Sequence, residues 1–211
     1  VSGRLRIVAL VHRHLVPPET VAEGTDTTAA PWRTEWDVIS TLRALGHDVR
    51  VLGVHDDLGD IRRMADEWEP HIAFNLLEAF DDVTIFDQNV VSYLELLKVS
   101  YTGCNPRGLL LARDKSLSKK LLSYHRIRVP ESEVFRIGRP VRRPRRLEFP
   151  LIVKSLTQEA SIGISQASVV ETDEKLRERV AFVHQSIQTA AIAEQYIEGR
   201  ELYVGLIGNH V

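Results

Sequence analysis

Phe149-Pro150-Leu151-Ile152-Val153-Lys154-Ser155-Leu156-Thr157-Gln158-Glu159-Ala160-Ser161-Ile162-Gly163-Ile164-Ser165 is an apolar run that delivers one lysine and then breaks into a small polar turn. Pro150 has no N–H and belongs at a strand's entry, and Leu151, Ile152 and Val153 favour extended backbone. Period-two alternation puts Lys154 on the same face as Ile152. The run therefore predicts a strand that presents a cation beside a turn, where Thr157, Ser161 and Gly163 offer hydroxyls and free N–H groups to an anion. A lysine ending a strand is also an ordinary solvated residue, so this stretch alone leaves phosphate handling and plain exposure both open.

Upstream, residues 4–11 form a near-continuous apolar run of the kind that parallel sheets bury on both faces. Residues 12–31 carry no periodicity and hold Glu19, Glu23, Asp26 and four threonines, which makes them a candidate substrate loop. His12 and His14 offer a pair of metal ligands, but no third follows at a recognisable spacing, so no metal site is assigned. Trp36, Ile39, Leu42 and Leu45 recur at helical spacing and Gly46 stands where a helix end needs positive φ. A strand at 48–54, a helix at 58–68 and a strand at 71–76 complete a βαβαβ order. That order predicts a parallel sheet with helices on both faces and a ligand crevice beyond the carboxyl ends of the strands. No Gly-x-Gly-x-x-Gly follows the first strand, which argues against a dinucleotide-binding dehydrogenase. Asn75, Glu78, Asp81 and Asp82 fall at the expected mouth of the crevice, either to meet substrate or as a solvated acidic loop.

Val83, Phe86, Val90, Leu94 and Leu97 trace one helical face, followed by a short strand at 99–101 and a turn at 102–106. Two short helices are expected at 107–112 and 115–124, with Asp114 capping the second. Prolines and arginines alternate through 136–146, which excludes a regular helix and reads as a solvated connecting loop. Past the hairpin, 165–170 reads as a returning strand. Thr172 caps a helix with Leu176, Val180, Val183 and Ile187 inward and Glu171, Lys175, Glu178 and Arg179 in water. Residues 190–197 and 201–207 read as an antiparallel pair about Glu198-Gly199. Glu194 and Glu201 then stand in an apolar strand pair, and a buried carboxylate needs a ligand or a partner such as Arg200 or Lys154.

The chain has 211 residues, 27 basic and 29 acidic, for a net charge of −2. That balance gives no electrostatic reason to expect a nucleic acid or an anionic membrane. The single cysteine, Cys104, excludes an intrachain disulfide and reads as a plain loop or core thiol. With no long apolar span and no signal-peptide pattern, a cytoplasmic location is expected.

Taken together, Asp114-Lys115, Phe149-Pro-x-x-Val-Lys154, Ser161-x-Gly163 and Glu194-x-Tyr196-Ile197-x-Gly199-Arg200-Glu201 resemble the ATP-grasp superfamily, most closely its D-alanine–D-alanine ligase type. The segment from Tyr93-Leu-Glu-Leu-Leu97 to Tyr101-Thr-Gly103 resembles the same ligases. The resemblance implies an α/β chain in three parts. An N-terminal, Rossmann-like pre-ATP-grasp domain with a parallel sheet covers 1–103. A helical segment and Pro/Arg-rich linker covers 104–148. The first part of an ATP-grasp α+β domain covers 149–211. It implies ATP as cofactor, with Lys115 and Lys154 at the phosphates and the turn of Ser161 and Gly163 folded over them. Glu194, Gln195, Tyr196 and Ile197 would line the adenine slot, and Glu201 would hold the ribose.

Glu19, Asn75 and Glu78 are the candidates for contacting a small carboxylate or amino acid. The resemblance also implies Mg2+, with its ligands expected beyond Val211, so that the sequence as it stands is not expected to turn over. The implied reaction is ATP-dependent carboxylate–amine ligation through an acyl phosphate; the alternative is a non-catalytic nucleotide-binding or regulatory module on the same scaffold. Ala160 and Glu159 replace the usual turn residues, and the long 12–31 loop replaces a short glycine- and serine-containing one. Substrate identity therefore stays open, as does self-association as a homodimer.

Overall fold

The structure is a computed structural model that describes residues 3–22, 24–158, 163–206 and 208. The chain divides into two compact units, 1–113 and 114–211.

The first unit is a three-stranded parallel sheet in the order β2-β1-β3, with β1 at Arg6–His12, β2 at Asp48–Val54 and β3 at Ile72–Asn75. Central β1 is buried from Ile7 to Val11, which explains its unbroken apolar run: alternate residues feed opposite faces. Ile7, Ala9 and Val11 pack with Ile39 of α1 (Arg33–Ala44). Val8 and Leu10 pack with Ile61 of α2 (Gly59–Trp68) and with Val90 and Leu94 of α3 (Asp87–Leu96). Gly46 closes α1 at φ +86, a backbone angle that a Cβ disfavours. The strand expected at 99–101 reduces to a single parallel bridge from Tyr101 to Ala73. The helix α4 (Pro106–Arg113) ends the unit, and its buried Arg113 pairs with buried Asp87 at 2.5 Å.

The second unit opens with α5 (Lys115–Tyr124), whose N-cap Asp114 accepts from the Leu117 N–H at 2.9 Å. Its mixed-order antiparallel sheet runs β4-β7-β5-β6. The strands are β4 at Ser132–Phe135, β5 at Leu151–Ser155, β6 at Val169–Val170 and β7 at Ala191–Gln195. Segment 104–148 thus contributes an edge strand, β4, besides helices and a loop. The hairpin opened by β5 does return antiparallel, through Leu151↔Val170 and Ile152↔Val169. The expected strand at 165–170 is mostly a 3-10 turn at Gln166–Ser168, leaving β6 only two residues long.

Leu151 and Val153 of β5 and Ala191 and Ala193 of β7 share a core with Leu176 and Val180 of α6 (Asp173–Phe182) and with Val183. Ile152, Lys154, Ile192 and Glu194 occupy the other face, as strand alternation requires. Two expectations fail here. Residues 201–206 are exposed and irregular, so β7 has no antiparallel continuation there. Arg179, expected in water, is buried on the core side of α6 with its guanidinium over the Phe182 ring.

Candidate functional site

On the outer face of the second sheet, antiparallel pairing puts Glu194 opposite Ile152 and Lys154 opposite Ile192, so the lysine reaches the glutamate diagonally. The Lys154 ammonium lies 2.7 Å from Glu194 Oε2, and Lys119 of α5 lies 3.3 Å from Oε1. Glu194 is only 6% exposed, so its charge is held between two cations rather than by water. Lys119 stands one helical turn after Lys115, on the same helix face. Sequence reading singles out Lys115 and passes over Lys119, although the i, i+4 spacing is there to be read.

Lys115 serves the start of the hairpin loop: its Nζ donates to the Gln158 carbonyl at 2.6 Å, and its N–H to the Leu156 carbonyl at 3.3 Å. Ser155 Oγ accepts from the N–H groups of Thr157 and Gln158, a local turn that ends β5. Ser161, together with Glu159 and Ala160, lies outside the described residues. Gly163 takes φ +71, and a Cβ there would lie 2.5 Å from Ile187 Cδ1. Its carbonyl accepts from Arg179, which also donates to Ser168 Oγ at 2.8 Å. Arg179 therefore holds the returning end of the hairpin loop from the core side, and burial pulls its guanidinium pKa down. Gln195 and Tyr196 anchor the exit of β7 by N–H bonds to the Glu131 and Pro150 carbonyls. Tyr196, Ile197 and Glu201 are exposed, and Glu201 accepts from the Tyr203 hydroxyl at 3.1 Å. A cleft of about 880 Å3 runs between α5 and β4 and shares Lys119 with the cluster, but Lys115, Lys154 and Gly163 do not line it.

In the first unit, three loops leave the carboxyl edge of the sheet. Asn75 closes β3, with its Oδ1 accepting from the Leu77 N–H at 3.2 Å. The Glu78 carbonyl accepts from Arg113. Glu19 is exposed in the loop after β1. A buried carboxylate that sequence reading misses is Glu35, in the first turn of α1, which is 6% exposed and whose Oε2 has no hydrogen-bond partner among the described residues. Burial raises its pKa, and the Glu78 carboxylate adds to the rise. A buried carboxylate oxygen without a partner at a sheet's carboxyl edge is able to accept from a cationic group.

The same edge carries a metal-competent cluster. The parallel register sets His12 beside Val54, so His55, the next residue, stands next to it. Asp82 joins them from the loop after β3, and one donor atom from each of His12, His55 and Asp82 lies within 4.8 Å of the others. It is His55 and Asp82, not His14, that complete the set with His12. Spacing along the chain gives no sign of this, because the three residues meet only through the sheet. Desolvation lowers the His12 pKa, with His14 and His55 adding to the fall against Asp82. The hydrogen bond to Asp82 raises that of His55 and holds Asp82 low. Two imidazoles and one carboxylate do not fit Mg2+, which takes oxygen ligands in an octahedron, so this cluster is no seat for that ion.

The two units have the architecture of an ATP-grasp protein: a parallel α/β sheet followed by a mixed α+β region. Residues 127–211 match the family described as D-ala D-ala ligase C-terminus. An uncharacterized protein, y4sG, of Sinorhizobium fredii is 29% identical over 189 residues, covering 85% of this chain and 54% of that protein. A D-alanine–D-alanine ligase of Rhizorhabdus wittichii is 31% identical over 179 residues, covering 82% of this chain and 53% of the relative. The fold is similar to that of a D-alanine–D-alanine ligase from Bacillus anthracis complexed with ATP, at a TM-score of 0.69 and 21% identity over 92% of this chain and 60% of that one. In sequence and fold the chain is similar to the ATP-grasp, D-alanine–D-alanine ligase-like superfamily, over part of its relatives' length. It spans about half the length of the curated relatives it matches. Among the described residues, no helix is long and apolar enough to cross a membrane.

Proposed function

We propose that this chain supplies the substrate-side domain and the nucleotide-gripping sheet of an ATP-dependent carboxylate–amine ligase. The observation that carries the reading is the pair of lysines, Lys154 and Lys119, set around buried Glu194 on one sheet face, beside a hairpin loop that Lys115 ties down at its start. Lys115 and Lys154 would meet the nucleotide phosphates, with the loop of Gly163 and Ser161 above them. Glu194, Gln195, Tyr196 and Ile197 would border adenine, and Glu201 would accept from the ribose hydroxyls. Glu35, with Asn75 and Glu78, would hold the amine of a small amino-acid substrate at the sheet edge. A carboxylate oxygen would attack the terminal phosphorus of ATP, releasing ADP. An amine would then attack the acyl carbon, releasing phosphate. Fixed cations favour the first step by stabilising charge on the transferring phosphoryl group.

One observation favours the second reading, a non-catalytic nucleotide-binding module. Lys115 and Lys154 are each engaged inside the protein, at a carbonyl and at Glu194, and so serve the fold without ligand. ADP release from Mg-ATP, screened against pooled amino acids and small carboxylates, separates the two. The ligase reading expects release that depends on an added amine, with Lys154→Ala raising the KM for ATP at least about tenfold, the worth of one lost charge-assisted contact. ATP binding without release under any pool supports the module. Unchanged ATP affinity in Lys154→Ala refutes both.

A further inference from the structure

We propose that His12, His55 and Asp82 form a binding site for a divalent transition-metal cation of the zinc type, built within the first unit. The site stands whether or not the chain binds nucleotide. The topology assembles it: His12 ends β1, His55 follows β2, and the loop after β3 brings Asp82, with the Asp81 N–H on the His55 carbonyl at 2.8 Å fixing that loop in place. Asp82 Oδ1 lies 3.4 Å from His12 Nε2, and Oδ2 lies 3.3 Å from His55 Nε2. Each separation is close to the edge of a tetrahedron, about 3.4 Å, around a zinc ion with ligands at about 2.1 Å, with the two contacts running to different oxygens of the one carboxylate.

Two further features fit a metal better than a bare hydrogen-bonded network. Among the described residues His12 Nε2 is buried without a well-formed hydrogen bond, its only close acceptor being Asp82 Oδ1 at 3.4 Å, and a lone pair aimed at a cation would satisfy it. On the far side of the other imidazole, His55 Nδ1 lies 3.4 Å from Asp56 Oδ1. A carboxylate behind a ligating histidine fixes its tautomer and leaves Nε2 free to bind metal. The donor atoms lie within 4.8 Å of one another, and the Asp82 side chain, 73% exposed, has room to turn toward an ion. The His14 ring stands 5.3 Å from that of His12 and 5.7 Å from that of His55, and three protein donors leave a fourth position for water or an oxygen ligand. Imidazole donors select zinc, cobalt, nickel or copper over magnesium or calcium.

Titration of the chelator-stripped chain with Co2+, followed by visible absorption, tests the site directly and reads no nucleotide chemistry. The expected result is the d–d spectrum of a four-coordinate ion, saturating at one Co2+ per chain, abolished by stoichiometric Zn2+ and unchanged by excess Mg2+. Asp82→Asn keeps the shape at a left-handed backbone position (φ +56) that asparagine tolerates. It and His12→Gln weaken binding at least about 100-fold, and Asp56→Asn weakens it about tenfold. His125→Ala, in the other unit, changes nothing. Circular dichroism that matches wild type shows that Asp82→Asn folds. A wild-type chain that shows no such spectrum overturns the proposal, as does an Asp82→Asn variant that binds Co2+ as tightly as wild type.

Discussion

Glu194→Gln removes one charge and almost no volume from the centre of the Lys119–Glu194–Lys154 cluster. The carboxylate side chain is 8% exposed, against 14% for Lys119 and 24% for Lys154. The change leaves two half-buried ammonium groups facing each other without their counter-ion. Breaking a fully buried ion pair costs about 3–5 kcal/mol, and the partial exposure of both lysines brings the expected loss to about 2–4 kcal/mol. Urea unfolding followed by circular dichroism measures it, and a double-mutant cycle isolates it. Lys154→Met in the Glu194→Gln background removes one of the repelling cations, so the double variant recovers at least about 1 kcal/mol relative to additivity. A single-variant loss below about 0.5 kcal/mol, or additive effects in the cycle, refutes the reasoning. Either result would mean that the three charges are solvated separately and that Glu194 is no buried hub.

Glu35 carries a pH prediction of the opposite sign to that of an ordinary salt-bridged carboxylate. Its folded-state pKa is raised by burial, so its stabilising contribution is complete below pH 4.5 and is lost as pH rises through the raised value. Glu35→Gln is therefore expected to stabilise the chain by about 1 kcal/mol at pH 7 and to make no difference at pH 4, as read by urea midpoints at the two pH values. Gly163→Ala is expected to lose more than about 1 kcal/mol. It forces a Cβ into a left-handed position and within 2.5 Å of Ile187, and thermal unfolding of the second unit reports it.

Much of the scaffold was legible from residue order. The apolar run of β1, the helical spacing of Trp36, Ile39 and Leu42, and Asp114 as an N-cap all follow from local rules acting over a few residues. The same rules put Lys154 on the outer face of β5. They failed at 201–206, where an apolar, strand-like sequence is exposed and irregular. They failed at Arg179 too, where helical spacing suggested a wet arginine and the fold buried it beneath the hairpin loop to hold the Gly163 carbonyl. The residues 132–135 that form β4 follow no strong alternation, and they become a strand because β7 offers them a free edge.

By itself the sequence determined the βαβαβ order, the β5 hairpin with its outward lysine and the resemblance that names the superfamily, because each depends on periodicity or on short motifs contiguous in the chain. Only the tertiary structure decided what surrounds them. It put Lys119 and Lys154 on one buried carboxylate, left Glu35 Oε2 without a hydrogen bond among the described residues, and brought His12, His55 and Asp82 together. Those groupings join residues up to 75 positions apart, as Lys119 and Glu194 are. The physical reason is that a parallel sheet gathers the ends of distant strands at one edge, and an antiparallel one sets diagonal neighbours side by side, so the chemistry of a site is a property of register and packing rather than of spacing along the chain.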